Sequence, residues 1–453
     1  MSNKDHVEIN EQRDKFKKNH RDIISWNSKQ KIKILDKRIE DLKQYDYSSL
    51  NEKSHSFGEE AFTNVFIVAS EKALSRPMKA LIGGFLGGFF VAIGYIACIY
   101  ALRGITNSGI KSIIFGAVFP IAILLITFIG GGLFTSNAIG FLPVSLGNVP
   151  AGSYMRSLFL VLIGNFLGTF VGASIIFIAE LLPSYETYFS SVGSYTDTYG
   201  GVVINLFAHK AAEFGMMVDG NMVNATPMVF FKIFMSNLAS GIFCNILVAA
   251  TLWFTFATKN AAAVILLLCI DIFAFAISGF AHVVANGFIF FMGMLMSGMT
   301  VNTGTGTLEI TSLAVFYFLI ANLLPAMIGN LFGGGVMLPF MAYGMYGRRV
   351  RLTSKKMKLE FYVSIREEII KHEEYYKELT DSSKEKDPVK LAKMQIEKAK
   401  TDFKESKDLS KSWKTSAVQH LRASRAEYKL VIKQSRQDKK YIKIEKKSKS
   451  NKK

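Results

Sequence analysis

One imidazole interrupts an otherwise apolar stretch, ISGFAHVVANGFIF at 277–290, and no other side chain in the run titrates near neutral pH. An ionised group is expensive inside a bilayer, so His282 is expected to face a cavity or a protein interior rather than lipid. A second apolar run is interrupted at 130–140 by GGGLFTSNAIG, which carries the hydroxyl of Thr135. Backbone released from helical hydrogen bonding is tolerated at membrane depth only where it is buried in protein or lines a cavity. The two interruptions are therefore expected to face one another, with Thr135 and His282 projecting from them. A titratable imidazole at such a place can supply or relay a proton.

The elements that must hold these residues are apolar segments at 80–102, 112–148, 154–182, 229–258, 262–298 and 312–346. Each reaches the length of about 20 residues that a spanning helix needs. Half of the 453 residues are hydrophobic, with 37 Phe and 36 Gly, a mixture typical of polytopic membrane proteins. Lys72, Arg76 and Lys79 precede the first segment, Arg156 follows the second, Lys259 the fourth, and Arg348, Arg349 and Arg351 the sixth. The connection at 299–311 carries Glu309 and no Lys or Arg. That at 183–228 carries Glu186, Asp197, Glu213 and Asp219 against Lys210 alone. Arg103 and Lys111 are the exceptions to a bias that puts both termini in the cytoplasm.

The third and sixth segments echo one another: LIGNFLGTFVGA (162–173) and MIGNLFGGGVM (327–337) share IGN, two residues, then Gly. With three segments per copy the second copy is inverted, and broken helices at corresponding positions point to a transport site near the midplane. Asn165 and Asn330, in the two IGN triplets, are expected to bridge helices rather than touch a substrate. All three cysteines, Cys98, Cys244 and Cys269, fall in apolar segments as small core residues, and no CxxC spacing supports a metal site or disulfide framework. No cofactor is called for. The charged beginning of the chain has no apolar stretch of the kind found in a cleavable signal peptide.

At this point the residues resemble the formate/nitrite transporter family over about 72–347. The matching motifs are EKALSRPMKALIGGFLGGFFVAIG (71–94), FPIAILLITFIGGGLFTS (119–136), GIFCNILVAATLW (241–253), SGFAHVVANGF (278–288) and NLLPAMIGNLFGGG (322–335). The resemblance implies a homopentamer of six-span, aquaporin-like protomers, each with its own pore. The substrates implied are small monovalent acid anions such as formate, nitrite, lactate or hydrosulfide. By motif, His282 corresponds to the central histidine, Thr135 to the residue facing it, Asn322 to a polar partner and Asn245 to the asparagine of a CN pair. Phe119, Ile123, Leu133, Phe134 and Phe275 correspond to the apolar constrictions. Two departures remove acids: Gly132 stands where the family has an acid before LFT, and Ala281 where it has Glu before the histidine. The family's vestibule lysine is matched by Lys210 in FAHKAAEF, with Lys232 as the alternative.

The expected architecture is an all-α polytopic membrane protein, an inverted three-plus-three repeat of six spans with the second and fifth broken. Its parts are a charged cytoplasmic segment at 1–70, a membrane domain at 71–347 and a basic cytoplasmic tail at 348–453. From Gly347 onward there are 32 Lys and Arg against 16 Asp and Glu, so nearly all of the +18 net charge lies in the tail. Its stretch LEFYVSIREEIIKHEEYYKEL has helical spacing, Asp387–Pro388 breaks it, and KKYIKIEKKSKSNKK is a basic low-complexity end suited to anionic lipid. No aromatic-interleaved nucleic-acid module accompanies it. The expected function is proton-coupled transport of a small weak-acid anion across the plasma membrane. The alternatives are a neutral-solute channel of aquaporin type, for which no NPA motif is found, and a docking or insertion factor using the basic tail. An embedded enzyme is not expected, because no nucleophile or metal-ligand constellation accompanies His282.

Overall fold

Asn107, Thr226, Asn260 and Thr311 each start a helix by accepting backbone N–H groups of the first turn on a side-chain oxygen. Apolar runs then carry the helices onward. The computed structural model describes residues 20–51, 56–181, 198–302 and 307–382, with isolated positions between 390 and 401. Among the described residues five helices are long and apolar enough to cross a membrane: Pro77–Leu102, Ser108–Phe128, Ala151–Leu181, Pro227–Ala257, and the apolar part of Ser312–Lys371. The fifth apolar segment of the sequence is instead two shorter helices, Ala261–Ile277 and Val283–Leu295.

In chain order the α-helices begin with α1 (His20–Lys43), α2 (Phe57–Ala73), α3 (Pro77–Leu102), α4 (Ser108–Val118), α5 (Ile121–Phe128), α6 (Phe134–Asn137), α7 (Phe141–Ser145), α8 (Ala151–Ile176) and α9 (Tyr199–Ala211). They continue as α10 (Pro227–Ala257), α11 (Ala261–Ile277), α12 (Val283–Leu295), α13 (Ser312–Phe318), α14 (Leu324–Phe332) and α15 (Leu338–Ser382).

The described residues form two compact units, one within residues 47–354 and one made of residues 20–46 with those described from 355 onward. Within the larger unit the most extensive packing is α3 on α8, followed by α10 on α14. Small residues permit both approaches. A Cβ on Gly84, Gly88, Gly164 or Gly168 would run into backbone of the facing helix, and so would one on Gly329 or Gly333. Helix α9, inside the long connection between the third and fourth apolar segments, is itself a core element, with Tyr199, Val203, Ile204, Phe207 and Ala211 fully buried. Beyond it a small antiparallel sheet, β1 (Met217–Val218), β2 (Asn221–Met222), β3 (Thr300–Asn302) and β4 (Thr307–Glu309), runs in the order β2-β1-β4-β3. It ties this connection to the one between the fifth and sixth segments, an element the sequence did not reveal.

In the smaller unit Asp36 pairs with Arg366 at 2.5 Å, Arg38 lies over the Tyr362 ring and Lys355 over that of Tyr45. Helix α2 belongs to the larger unit, where Phe62 is buried and stacked on Trp253 of α10, with ring centroids 5.6 Å apart. The tail stretch at 359–379 is helical as its spacing predicts. The Asp387–Pro388 break and the basic end lie outside the described residues.

Candidate functional site

The site is built where two apolar segments stop being helical, and each stop has a left-handed glycine that a side chain would strain: Gly130 at φ +113° and Gly279 at φ +65°. Breaking a helix exposes backbone groups that must find partners. One asparagine does this at each break. Asn165 of α8 donates from Nδ2 to the carbonyls of Gly84 and Gly132, both at 2.7 Å, and its Oδ1 accepts the Phe134 N–H at 2.8 Å. Asn330 of α14 donates from Nδ2 to Gly241 at 2.8 Å and Ala281 at 2.9 Å, and its Oδ1 accepts the Val283 N–H at 2.9 Å. The two clasps match bond for bond, each joining a neighbouring helix to the last residues of a break and to the first residue of the helix that resumes. The bridging role read from the two IGN triplets is what the geometry contains.

His282 sits at the start of α12 and caps it: its Nδ1 accepts the Ala285 N–H at 3.0 Å. That bond leaves the proton of a neutral ring on Nε2, which lies 3.2 Å from the Thr135 hydroxyl oxygen across the site. His282 is buried and Thr135 completely so. The Thr135 carbonyl accepts from Asn245 Nδ2 at 3.0 Å, and the same nitrogen reaches the Asn330 carbonyl at 2.5 Å, which ties the facing residue to the second clasp. Asn322 Oδ1 accepts from Asn286 Nδ2 at 2.7 Å, while its Nδ2 donates to the Lys210 carbonyl at 3.1 Å and to Asn237 Oδ1 at 3.2 Å.

Lys210, at the end of α9, donates from Nζ to the Gly279 carbonyl at 3.2 Å, which brings an ammonium to the second break. Lys232 is exposed and makes no such contact. The Phe275 ring lies 5.7 Å from the His282 ring and 6.1 Å from Phe119. Ile123, Leu133 and Phe134 are buried in the same apolar cluster. All ten residues picked out in the sequence are thus in or against one buried region. Those it passed over include Tyr95, which packs at 5.3 Å on both Phe119 and Phe288, and Ser240, whose Oγ accepts the Ala281 N–H at 2.9 Å. Asn286 was legible, because it follows His282 by four residues on one helix. Among the described residues no group of three or more His, Cys, Asp or Glu side chains converges to hold a metal.

The model of a known protein family, described as formate/nitrite transporter, matches residues 59–344. Among curated proteins, the formate channel FocA of Haemophilus influenzae is 24% identical over 278 residues, covering 59% of this chain and 87% of that protein. A formate-nitrite transporter of Plasmodium malariae is 25% identical over 315 residues, covering 67% of this chain and 88% of its own length. A solved structure described as a pentameric formate channel with formate bound shares 20% identity at a TM-score of 0.46, covering 60% of this chain and 97% of that one.

Proposed function

The chain belongs to the formate/nitrite transporter family, a family of membrane channels and transporters rather than enzymes, and from that premise we propose that it moves a small monovalent weak-acid anion across the membrane together with a proton. The observation that carries this reading is the Thr135–His282 pair, held 3.2 Å apart between two broken helices and walled by Phe275 and Phe119. An anion reaching such a wall gains by becoming neutral, because the apolar rings offer nothing to replace its hydration. Lys210 supplies the attraction that raises the local concentration of the anion before it enters. Asn245 and Asn322 hold the two sides of the route in register through the bonds already described.

Phe119, Ile123, Leu133, Phe134 and Phe275 form the constrictions in this reading, and residues 71–347 form the transport domain. The matched clasps favour an inverted three-plus-three repeat. The positive charge flanking the segments favours cytoplasmic termini, and the plasma membrane is the location we propose. The protein assembles as a homopentamer, and a native mass fitting one or two copies in detergent would count against this. The basic tail adds attraction to anionic lipid without carrying transport.

The decisive experiment is uptake of formate, lactate, nitrite and hydrosulfide into proteoliposomes between about pH 5 and 8, the range in which histidine commonly titrates. Wild-type uptake of at least one anion should rise as pH falls, and His282→Asn should remove or strongly flatten that rise while the protein stays assembled. Wild-type uptake rates and an unchanged pH profile in His282→Asn would eliminate the histidine from proton handling.

A further inference from the structure

Helix α11 reads AAAVILLLCIDIFAFAI, and a single carboxyl interrupts it. Asp271 is only 8% exposed, and its Oδ2 is buried with no hydrogen-bond partner among the described residues. An ionised carboxylate placed there has no counter-ion among the described residues to replace its solvation, whereas the neutral acid is far less costly to bury. The buried residues of α11 are Val264, Leu268, Asp271, Ile272, Phe275 and Ala276, so Asp271 lies on the face turned into the protein. It precedes Phe275 by about one helical turn, or about 6 Å of rise, and the Phe275 ring packs 5.7 Å from His282.

A second observation comes from the clasps. They equate Gly132 with Ala281, Phe134 with Val283 and Gly84 with Gly241. The same offsets carry the last residue of α5, Phe128, onto the last residue of α11, Ile277. By these offsets Ala122 corresponds to Asp271, and Gly94 to Thr251. In the first half this is a tight apolar pair, since a Cβ on Gly94 would lie 2.8 Å from the Ala122 Cβ. The second half puts two buried polar residues at those positions, and the Thr251 hydroxyl is committed to the Val248 carbonyl at 2.6 Å. Packing alone does not call for an acid here.

The elements packed most extensively on α11 are α10, α4 and α5, and the titratable His282 ring meets it at Phe275. Their titratable side chains are Lys232 and Cys244 on α10 and Lys111 on α4, with none on α5 and Cys269 on α11 itself. Asp271 forms no ion pair or hydrogen bond with any of them.

We propose that Asp271 is a second proton site of the transport route, occupied while the route conducts and emptied, with loss of conduction, as pH rises. The step is a simple ionisation: the O–H bond of the carboxylic acid breaks, the proton leaves to water, and a negative charge remains inside the protein. That charge repels an incoming anion and disfavours the apolar seating of α11 beside Phe275. The inference rests on the transport reading, but one of its tests does not.

Asp271→Asn mimics the protonated form in shape and cannot titrate. The ratio of Asp271→Asn to wild-type anion uptake in proteoliposomes should climb several-fold as pH is raised from about 5 to about 9, approaching tenfold per pH unit once the wild-type site empties. A ratio independent of pH overturns the proposal. Infrared spectroscopy without substrate should show a protonated-carboxyl C=O band in the wild type that Asp271→Asn lacks and that fades as pH rises. A missing band, or one that persists unchanged across the series, also overturns it. If the wild type moves none of the anions, the transport reading fails and the infrared titration alone decides the proton site. If Asp271→Asn does not assemble, Asp271→Glu keeps the carboxyl and must move the band and the alkaline limb of uptake together; movement of neither overturns the proposal.

Discussion

Thr135 presents two oxygens in two directions, its hydroxyl to the His282 ring at 3.2 Å and its carbonyl to Asn245 at 3.0 Å. Only the first depends on the side chain, so Thr135→Val should keep the fold and lower anion uptake without erasing its pH dependence, since a hydroxyl does not titrate near neutrality. Uptake in the same proteoliposomes checks this, and a flattened pH profile would move proton handling from the histidine to the pair. Lys210 lends itself to a kinetic test. Lys210→Gln removes the charge but keeps a donor for the Gly279 carbonyl, so it should raise the half-saturating anion concentration several-fold with a smaller effect on maximal rate. Added salt should weaken the wild-type advantage, because charges at a water-filled mouth are screened. Equal half-saturation in the two proteins at low salt would leave Lys210 a bridging residue only.

At the scale of elements, each break is held by one asparagine amide that meets two carbonyls and one N–H. Asn330→Ala would leave the Ala281 carbonyl and the Val283 N–H without partners, at about 1–3 kcal/mol each, and would take the extra donor from the Gly241 carbonyl. Its thermal midpoint in detergent should fall clearly below the wild type, as should that of Asn165→Ala, whereas Asn330→Asp should also be poorly tolerated because it loses both donors. A midpoint unchanged in Asn330→Ala would show that water satisfies the break. Much at this scale was legible in the sequence. Runs of Phe, Leu and Ile announced the apolar segments, and Gly130 and Gly279 announced where they break, because only glycine enters that backbone region cheaply. The resumption of helix at Val283 was less visible: it depends on His282 acting as a cap, which histidine does less often than Ser, Thr, Asp or Asn. Helix α9 escaped notice because a 13-residue segment packed inside a long connection looks like loop, and its burial depends on partners distant in sequence. Asp271 was hidden by the opposite cause, since one acid scarcely alters the hydropathy of a long apolar run.

Across the whole molecule, the larger unit closes on itself near its end, where Ser354 bonds by its hydroxyl to Asn148 Oδ1 and by its carbonyl to Asn148 Nδ2. A chain cut after Arg351 would lose that contact, so a fair test of the tail removes residues after Ser382 instead. That truncation should retain anion uptake and bind anionic vesicles less than the full chain does, and the full chain's binding should itself fall as salt is raised. Loss of uptake from a correctly assembled truncated protein would assign the tail a part in transport. The matched clasps bear on a different property, the polarity of flow. A frame that repeats its own bonding in both halves has no front or back of its own. At equivalent positions the two breaks present Leu133 and His282, and the Lys210 ammonium meets the second break at the Gly279 carbonyl. Any difference between inward and outward uptake would then arise from residues that differ between the halves, such as Leu133 against His282 and Ala122 against Asp271, together with Lys210.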